Sequence, residues 1–159
     1  HRMLVAGTHG RGAWTIDIEP LRQLTASVVD DDHFLFAAEP SILWQMKSRG
    51  WQGHRDYRAK NPPYGAVFYI YCKNEPEAEP ELTIHDVAGE ELASLKGQKR
   101  AGVQRLVWDA RLGRSGLAKP GSYGVRWKDR EEIEARAFEL KADPATIGHG
   151  SGAAATQNR

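Results

Sequence analysis

The sequence predicts an all-β protein whose main part is an antiparallel β-sandwich. The most sheet-like stretch of the chain is residues 65–73, in which β-branched and aromatic side chains occupy both alternating faces. This pattern is typical of a central strand that is covered on both sides. Short runs of alternating polarity then recur between turns as far as residue 140, without a long helical period. Strands at this spacing are characteristic of a sandwich.

A β-hairpin is predicted from Met3 to Ile18, split by the glycine-rich turn at residues 8–12. Trp14, Ile16 and Ile18 alternate along its second strand and therefore share one face. Because an isolated hairpin is marginally stable in water, we expect this face to pack on strands that are mostly missing from this chain or supplied by another.

The middle of the chain is predicted to hold a short apolar strand at residues 34–38 and then a long loop. Residues 48–63 are polar, basic and interrupted by glycine and proline, a length of irregular chain that is usually functional or mobile. Pro62 and Pro63 cannot join a ladder through their nitrogens, so the central strand starts after them.

Five further runs alternate in polarity and are predicted strands: residues 81–86, 91–95, 103–109, 123–127 and 134–140. The alternation places Trp108 and Trp127 in the core. The predicted organisation is a hairpin at residues 1–20, a linker and sandwich at 21–145, and a disordered tail at 146–159, which is small and polar.

Composition excludes several functional classes. In 159 residues with a net charge of +1, no apolar run is long enough for a membrane span. An acidic strip at residues 74–91 follows a basic loop, whereas nucleic-acid binding needs a basic face without such a neighbour. The single Cys72 rules out an internal disulfide and is predicted to be a buried, inert thiol. Because the chain starts at His1, we expect it to be a piece of a longer protein, with any targeting signal upstream.

No residue pattern indicates catalysis, a metal site or a cofactor. His9 has no ligand partner at metal spacing. The three aspartates at 30–32 lack the interleaved spacing of a calcium loop. Asp86 is predicted to cap its turn, and Asp109 to end a strand beside Arg111. We therefore predict a protein that is not an enzyme and that needs no cofactor.

One constellation has a functional alternative, the aromatic loop that we predict as a binding site. Its members are Trp44, Trp51, Arg55, Tyr57 and Tyr64. Exposed rings can stack on sugar faces while the arginine bonds hydroxyl groups; alternatively, the rings hold a long loop against the rest of the protein. Sequence alone leaves both interpretations open.

Two segments resemble known families. The run LVAGTHGRGAW followed by EPLRQL resembles the closing strands of large bacterial β-propellers of the sortilin-like or BNR (Asp-box) repeat type, and NPPYGAVFYIY resembles the module that follows them. The runs ELTIHDVAGEEL, VQRLVWDARL and PGSYGVRW are similar to the immunoglobulin-like domain of flagellar hook-capping proteins and of C-terminal modules of secreted bacterial proteins.

These resemblances imply an immunoglobulin-like β-sandwich preceded by the last hairpin of a β-propeller. The chain has no Asp box and nothing matching the arginine cluster or nucleophilic tyrosine of sialidases. The implied function is that of a non-catalytic accessory or scaffolding domain in a secreted or envelope-associated protein, extracellular or periplasmic. Its implied partners are the propeller portion or another protein chain. The alternatives are a carbohydrate-binding module with a glycan partner, or an accessory part of a propeller glycoside hydrolase whose active site lies upstream.

Overall fold

The computed structural model describes residues 3–10, 12–45, 63–113, 116–128 and 135–147. Far more of these residues lie in β-strands than in helices, and the helices have five residues or fewer, so the predicted all-β class is confirmed. The elements are β1 Met3–Gly7, β2 Ala13–Asp17, α1 Glu19–Gln23, α2 Ala26–Asp30, β3 His33–Leu35, β4 Ser41–Leu43, β5 Ala66–Cys72, β6 Glu81–His85, β7 Glu91–Lys96, β8 Gly102–Trp108, β9 Gly121–Trp127, β10 Ala135–Ala142 and α3 Pro144–Ile147.

Strands β1 and β2 form the predicted hairpin, antiparallel from the pair Met3 and Asp17 to the pair Gly7 and Ala13. Thr8 closes the turn, since its backbone N–H donates to the Gly12 carbonyl over 2.8 Å and its hydroxyl accepts from the Gly12 N–H over 3.1 Å. The glycine-rich sequence therefore makes the turn that its composition indicates.

One face of this hairpin is apolar and faces solvent. The register places Leu4 opposite Ile16 and Ala6 opposite Trp14, so these four side chains share a face. Leu4, Trp14 and Ile16 are 54%, 70% and 56% exposed. Ile18, predicted to join them, lies beyond the end of β2 and is the residue before α1. In the part of the chain that the structure describes, neither strand pairs with a third, and the predicted cover is not supplied there.

The predicted central strand is β5, the middle strand of a sheet ordered β3-β5-β8. Its buried face consists of Ala66, Phe68, Ile70 and Cys72. The opposite face, Val67, Tyr69 and Tyr71, is half-buried, so the strand is covered on both sides but less completely on this one. The reason is that short elements lie over it: the Tyr71 hydroxyl donates to the Val29 carbonyl of α2 over 3.4 Å.

The second sheet has the order β4-β10-β9-β6-β7. Its strands are antiparallel except for β4, which runs parallel to β10 with Leu140 opposite Ser41. Lys128, just after β9, donates its backbone N–H to the Glu81 carbonyl over 2.8 Å, and its ammonium lies 3.1 Å from the Glu81 carboxylate. This sheet joins β4 from the first half of the chain to four strands from the second half.

The two sheets meet in one hydrophobic core. Phe68 of the first sheet contacts Phe138 of the second edge-to-face, with ring centroids 5.0 Å apart, and Trp108 approaches the same ring at 6.2 Å. Trp108 and Trp127 are both buried in this core, as predicted. Burial of such large rings is the main favourable term that holds the sheets together.

Residues 19–38 differ in detail from the predicted strand. Strand β3 covers only His33–Leu35, although Phe36 still donates its N–H to the Tyr69 carbonyl over 3.2 Å. Ala37 then donates its N–H to the side chain of Gln23 over 2.8 Å. Two short helices precede β3, and Thr25 caps the second by accepting from the Val28 N–H. At the other end, α3 reaches Ile147, and residues 148–159 of the predicted tail lie outside the described residues.

Candidate functional site

Two of the five predicted binding residues line one surface cleft, which we call the aromatic cleft. Trp44 and Tyr64 border it, and Trp51, Arg55 and Tyr57 lie outside the described residues. The cleft has a volume of about 580 Å³. Its lining residues are Trp44, Gln45, Tyr64, Asp109, Arg111 and Leu117. The structure thus joins the ends of the predicted loop to the connection between β8 and β9.

Trp44 is held at the cleft by the chain on either side of it. Its backbone N–H donates to the Ile42 carbonyl over 3.0 Å, which turns the chain after β4. The next residue, Gln45, donates its N–H to the carboxylate of Asp143 over 2.9 Å. Asp143 is buried at the end of β10. The Trp44 backbone is therefore fixed at both ends, while its side chain remains 53% exposed.

Tyr64 reaches the cleft because of a glycine. Gly65 has φ +93°, and a Cβ at this position would collide with the carbonyl oxygen of Trp108 and lie 2.9 Å from Asp109 Cα. Only glycine allows the chain to start β5 this close to the end of β8. Tyr64 consequently lies beside the Asp109 turn, where it packs partly against the core.

The connection after β8 is a small, well-bonded turn. Arg111 and Leu117 form a β-bridge, and the Ala118 N–H donates to the Ala110 carbonyl over 2.7 Å. Ala110 is fully buried and has φ +59°, an unfavourable conformation for a residue with a Cβ. The Trp108 indole N–H donates to the Arg111 carbonyl over 3.2 Å. The core tryptophan thereby positions the residues at the cleft.

Asp109 and Arg111 give the cleft an ion pair of no net charge. The Arg111 Nε lies 3.3 Å from Asp109 Oδ2, and the Arg111 backbone N–H donates to Asp109 Oδ1 over 3.1 Å. Both side chains are exposed, so the pair contributes little stability. Its guanidinium and carboxylate do present hydrogen-bond donors and acceptors beside Trp44. Sequence reasoning assigned Asp109 to a strand end and did not connect it with the aromatic loop, which is 45 or more positions away in the chain.

In comparisons with known proteins, no family model, no curated protein and no solved structure matches this chain. The resemblance to propeller and immunoglobulin-like modules is therefore still a prediction.

The carboxylates that sequence singled out are engaged in backbone turns. Asp86 Oδ1 accepts from the N–H groups of Ala88 and Glu90, both over 2.9 Å, which confirms its predicted capping role. Asp109 caps the turn at Arg111 in the same way.

The pKa of the Glu81 carboxyl group is lowered, mainly by a hydrogen bond from Ser94 and next by one from Lys128. A general acid at neutral pH needs the opposite shift, so Glu81 is not suited to that role.

We predict that Asp86→Ala lowers the free energy of unfolding by about 1–2 kcal/mol, because two backbone N–H groups lose a charged acceptor in an exposed turn. Urea denaturation followed by circular dichroism measures the loss. Asp86→Asn keeps a side-chain oxygen and should lose less than half as much. A loss as large for the asparagine variant would mean that the charge, rather than the capping geometry, matters.

The described residues also bear on metal binding, on the state of the single cysteine and on membrane spans. Within these ranges, no group of three or more His, Cys, Asp or Glu side chains is placed to hold a metal ion. Cys72 is buried in β5, where its thiol was predicted to lie. The described helices are all too short to cross a membrane.

Proposed function

We propose that this chain is a non-catalytic accessory or scaffolding domain of a larger secreted or envelope-associated propeller protein, and that it makes protein contacts through its hairpin. In this proposal, the two-sheet body is the immunoglobulin-like sandwich and β1 and β2 are the last hairpin of the propeller. The observation that carries the proposal is the exposed apolar face of Leu4, Ala6, Trp14 and Ile16.

The chemistry of this face favours a protein partner. All four side chains are uncharged and apolar, and fully burying a large one is worth about 1.5–3 kcal/mol. A hairpin alone gains little stability in water. Among the described residues, both outer edges of the hairpin also lack a partner strand, and free edges invite pairing with another strand. A neighbouring β-sheet would cover the face and pair with an edge at the same time.

The arrangement of carboxylates supports a non-catalytic role. Hydrolysis by two carboxylates needs both to point into one cleft with different proton affinities. Asp86 and Asp109 instead bond backbone N–H groups of their own turns, at the ends of different strands. The structural role of each is therefore sufficient to explain its presence.

We expect position 14 to contact strands of the same polypeptide in the complete protein, because an apolar hairpin face needs cover. Replacing Trp14 with p-benzoylphenylalanine in the full-length gene product, irradiating it and mapping the crosslinked peptides by mass spectrometry measures this contact. The expected crosslink joins position 14 to a segment encoded upstream of His1.

Val87 provides the control, because it is 85% exposed in a turn far along the chain from the hairpin. The same photoreactive residue at position 87 should not crosslink to upstream segments. Equal crosslinking at 14 and 87, or none at 14, would contradict the proposed contact.

A further inference from the structure

We propose that the aromatic cleft binds a neutral saccharide, an activity that goes beyond the scaffolding role. The residues assigned to it are Trp44, Tyr64, Asp109, Arg111 and Leu117. The volume of about 580 Å³ lies within the range of about 300–1,000 Å³ that is usual for small-molecule sites.

The apolar part of the cleft suits the carbon face of a sugar ring. Trp44 and Leu117 are both 53% exposed and line the same cleft, so it presents two large apolar side chains to solvent. A pyranose presents a flat patch of C–H groups that stacks on an indole, as other apolar and weakly polarised groups do. Stacking of this kind needs an accessible ring, and Trp44 provides it.

The polar part of the cleft suits hydroxyl groups. A guanidinium has five N–H donors; the Arg111 Nε lies 3.3 Å from Asp109 Oδ2, and the side chain is largely exposed beside the cleft. Asp109 adds carboxylate lone pairs as acceptors. Each sugar hydroxyl can both donate and accept a hydrogen bond. Two neighbouring hydroxyls can therefore bond the Arg111 guanidinium and the Asp109 carboxylate at the same time. Because the two charges oppose each other, the cleft favours a neutral ligand over an anionic one.

The cleft is also preorganised, which reduces the entropy lost on binding. Gly65 allows Tyr64 to sit against the Asp109 turn, and the buried Ala110 and the Arg111–Leu117 bridge fix that turn. Asp143 fixes the chain immediately after Trp44. The backbone in three separate parts of the chain is thus held in place without a ligand.

The proposal is tested by titrating the purified chain with neutral hexasaccharides, namely cello-, chito-, xylo- and malto-oligosaccharides, and with hexagalacturonate as an acidic probe. Isothermal calorimetry and two-dimensional NMR measure binding. At least one neutral hexasaccharide should bind, and Trp44→Ala and Arg111→Gln should each weaken that binding by roughly tenfold or more. Trp44→Phe, which keeps an aromatic face, should retain most of the affinity.

Trp14→Ala is the matched control, because it removes another exposed tryptophan that does not line the cleft. It should leave the affinity unchanged, and thermal melts should show that all the variants are folded. The proposal is overturned if no neutral hexasaccharide binds, if only hexagalacturonate binds, or if Trp44→Ala binds as well as the parent chain. Since the assay uses this chain alone, its outcome is independent of the hairpin contact in the full-length protein.

Discussion

Replacing Trp108 with alanine is expected to lower the free energy of unfolding by about 3–5 kcal/mol, the usual cost of truncating a large aromatic in a packed core. The side chain is 2% exposed and meets Tyr123 and Phe138 edge-to-face, at 5.8 and 6.2 Å between ring centroids. The variant also loses the indole hydrogen bond to the Arg111 carbonyl. Urea denaturation followed by far-ultraviolet circular dichroism measures the loss.

Trp44→Ala serves as the comparison for this prediction. Its side chain is about half exposed, so removal should cost less than about 1 kcal/mol. Similar losses at positions 108 and 44 would show that Trp108 is not the anchor of the core.

A second large effect is expected from Gly65→Ala, which should destabilise the protein by about 2–6 kcal/mol. The residue has φ +93°, and strain of about 1–3 kcal/mol follows for a non-glycine residue there. The added methyl group would also collide with backbone atoms of Trp108 and Asp109, which cannot move without distorting β8. Overpacking of this kind costs a further 1–3 kcal/mol or so. Thermal and urea denaturation both measure the change.

Gly89→Ala separates the two causes. Gly89 has φ +84°, and no atom lies within 4 Å of the position that its Cβ would take. This variant should therefore show only the backbone term, about 1–2 kcal/mol. If Gly65→Ala costs no more than Gly89→Ala, then β8 yields to the methyl group and the close approach is not required.

Much of the strand content was predictable because alternation reports burial directly. Every second side chain is buried along β5, from Gln104 to Trp108 in β8 and at Val125 and Trp127 in β9, and the predicted bounds agree with the observed ones to within a residue or two. The hairpin was likewise predictable, since its turn residues and its apolar alternation lie within 16 positions of each other. Alternating polarity and turn residues are local signals, because each determines the conformation of the segment in which it occurs.

Sequence reasoning failed where the outcome depends on distant partners. Strand β4 has three residues and is defined by its parallel pairing with β10, about a hundred positions later, which no periodicity indicates. Similarly, the chain just after β3 is held by the side chain of Gln23, which accepts the N–H of Ala37. Both contacts join residues that are far apart in the sequence, and they form only in the folded chain.

The candidate site likewise combines residues that local sequence identified with residues that depend on distant contacts. Trp44 and Tyr64 were identified as aromatic residues at the edges of a loop, and both line the cleft. Asp109, Arg111 and Leu117 were missed as ligand-binding residues, because their connection to the loop depends on the approach of β8 to Gly65. The signal in the sequence was the glycine itself: a glycine directly before a strong strand marks a close backbone contact.

The position of β10 has a consequence for how this protein is made. It lies between β4 and β9, so the larger sheet stays divided into two parts until the last strand enters it. Contacts between residues 41–43 and 140–142 close a loop of about a hundred residues, and such long-range pairing slows folding. During synthesis, the edges of β4 and β9 that pair with β10 stay unpaired until residues 135–142 have been made. We therefore expect nascent chains that stall before Ala135 to depend on chaperones, and premature stop codons there to yield aggregated protein.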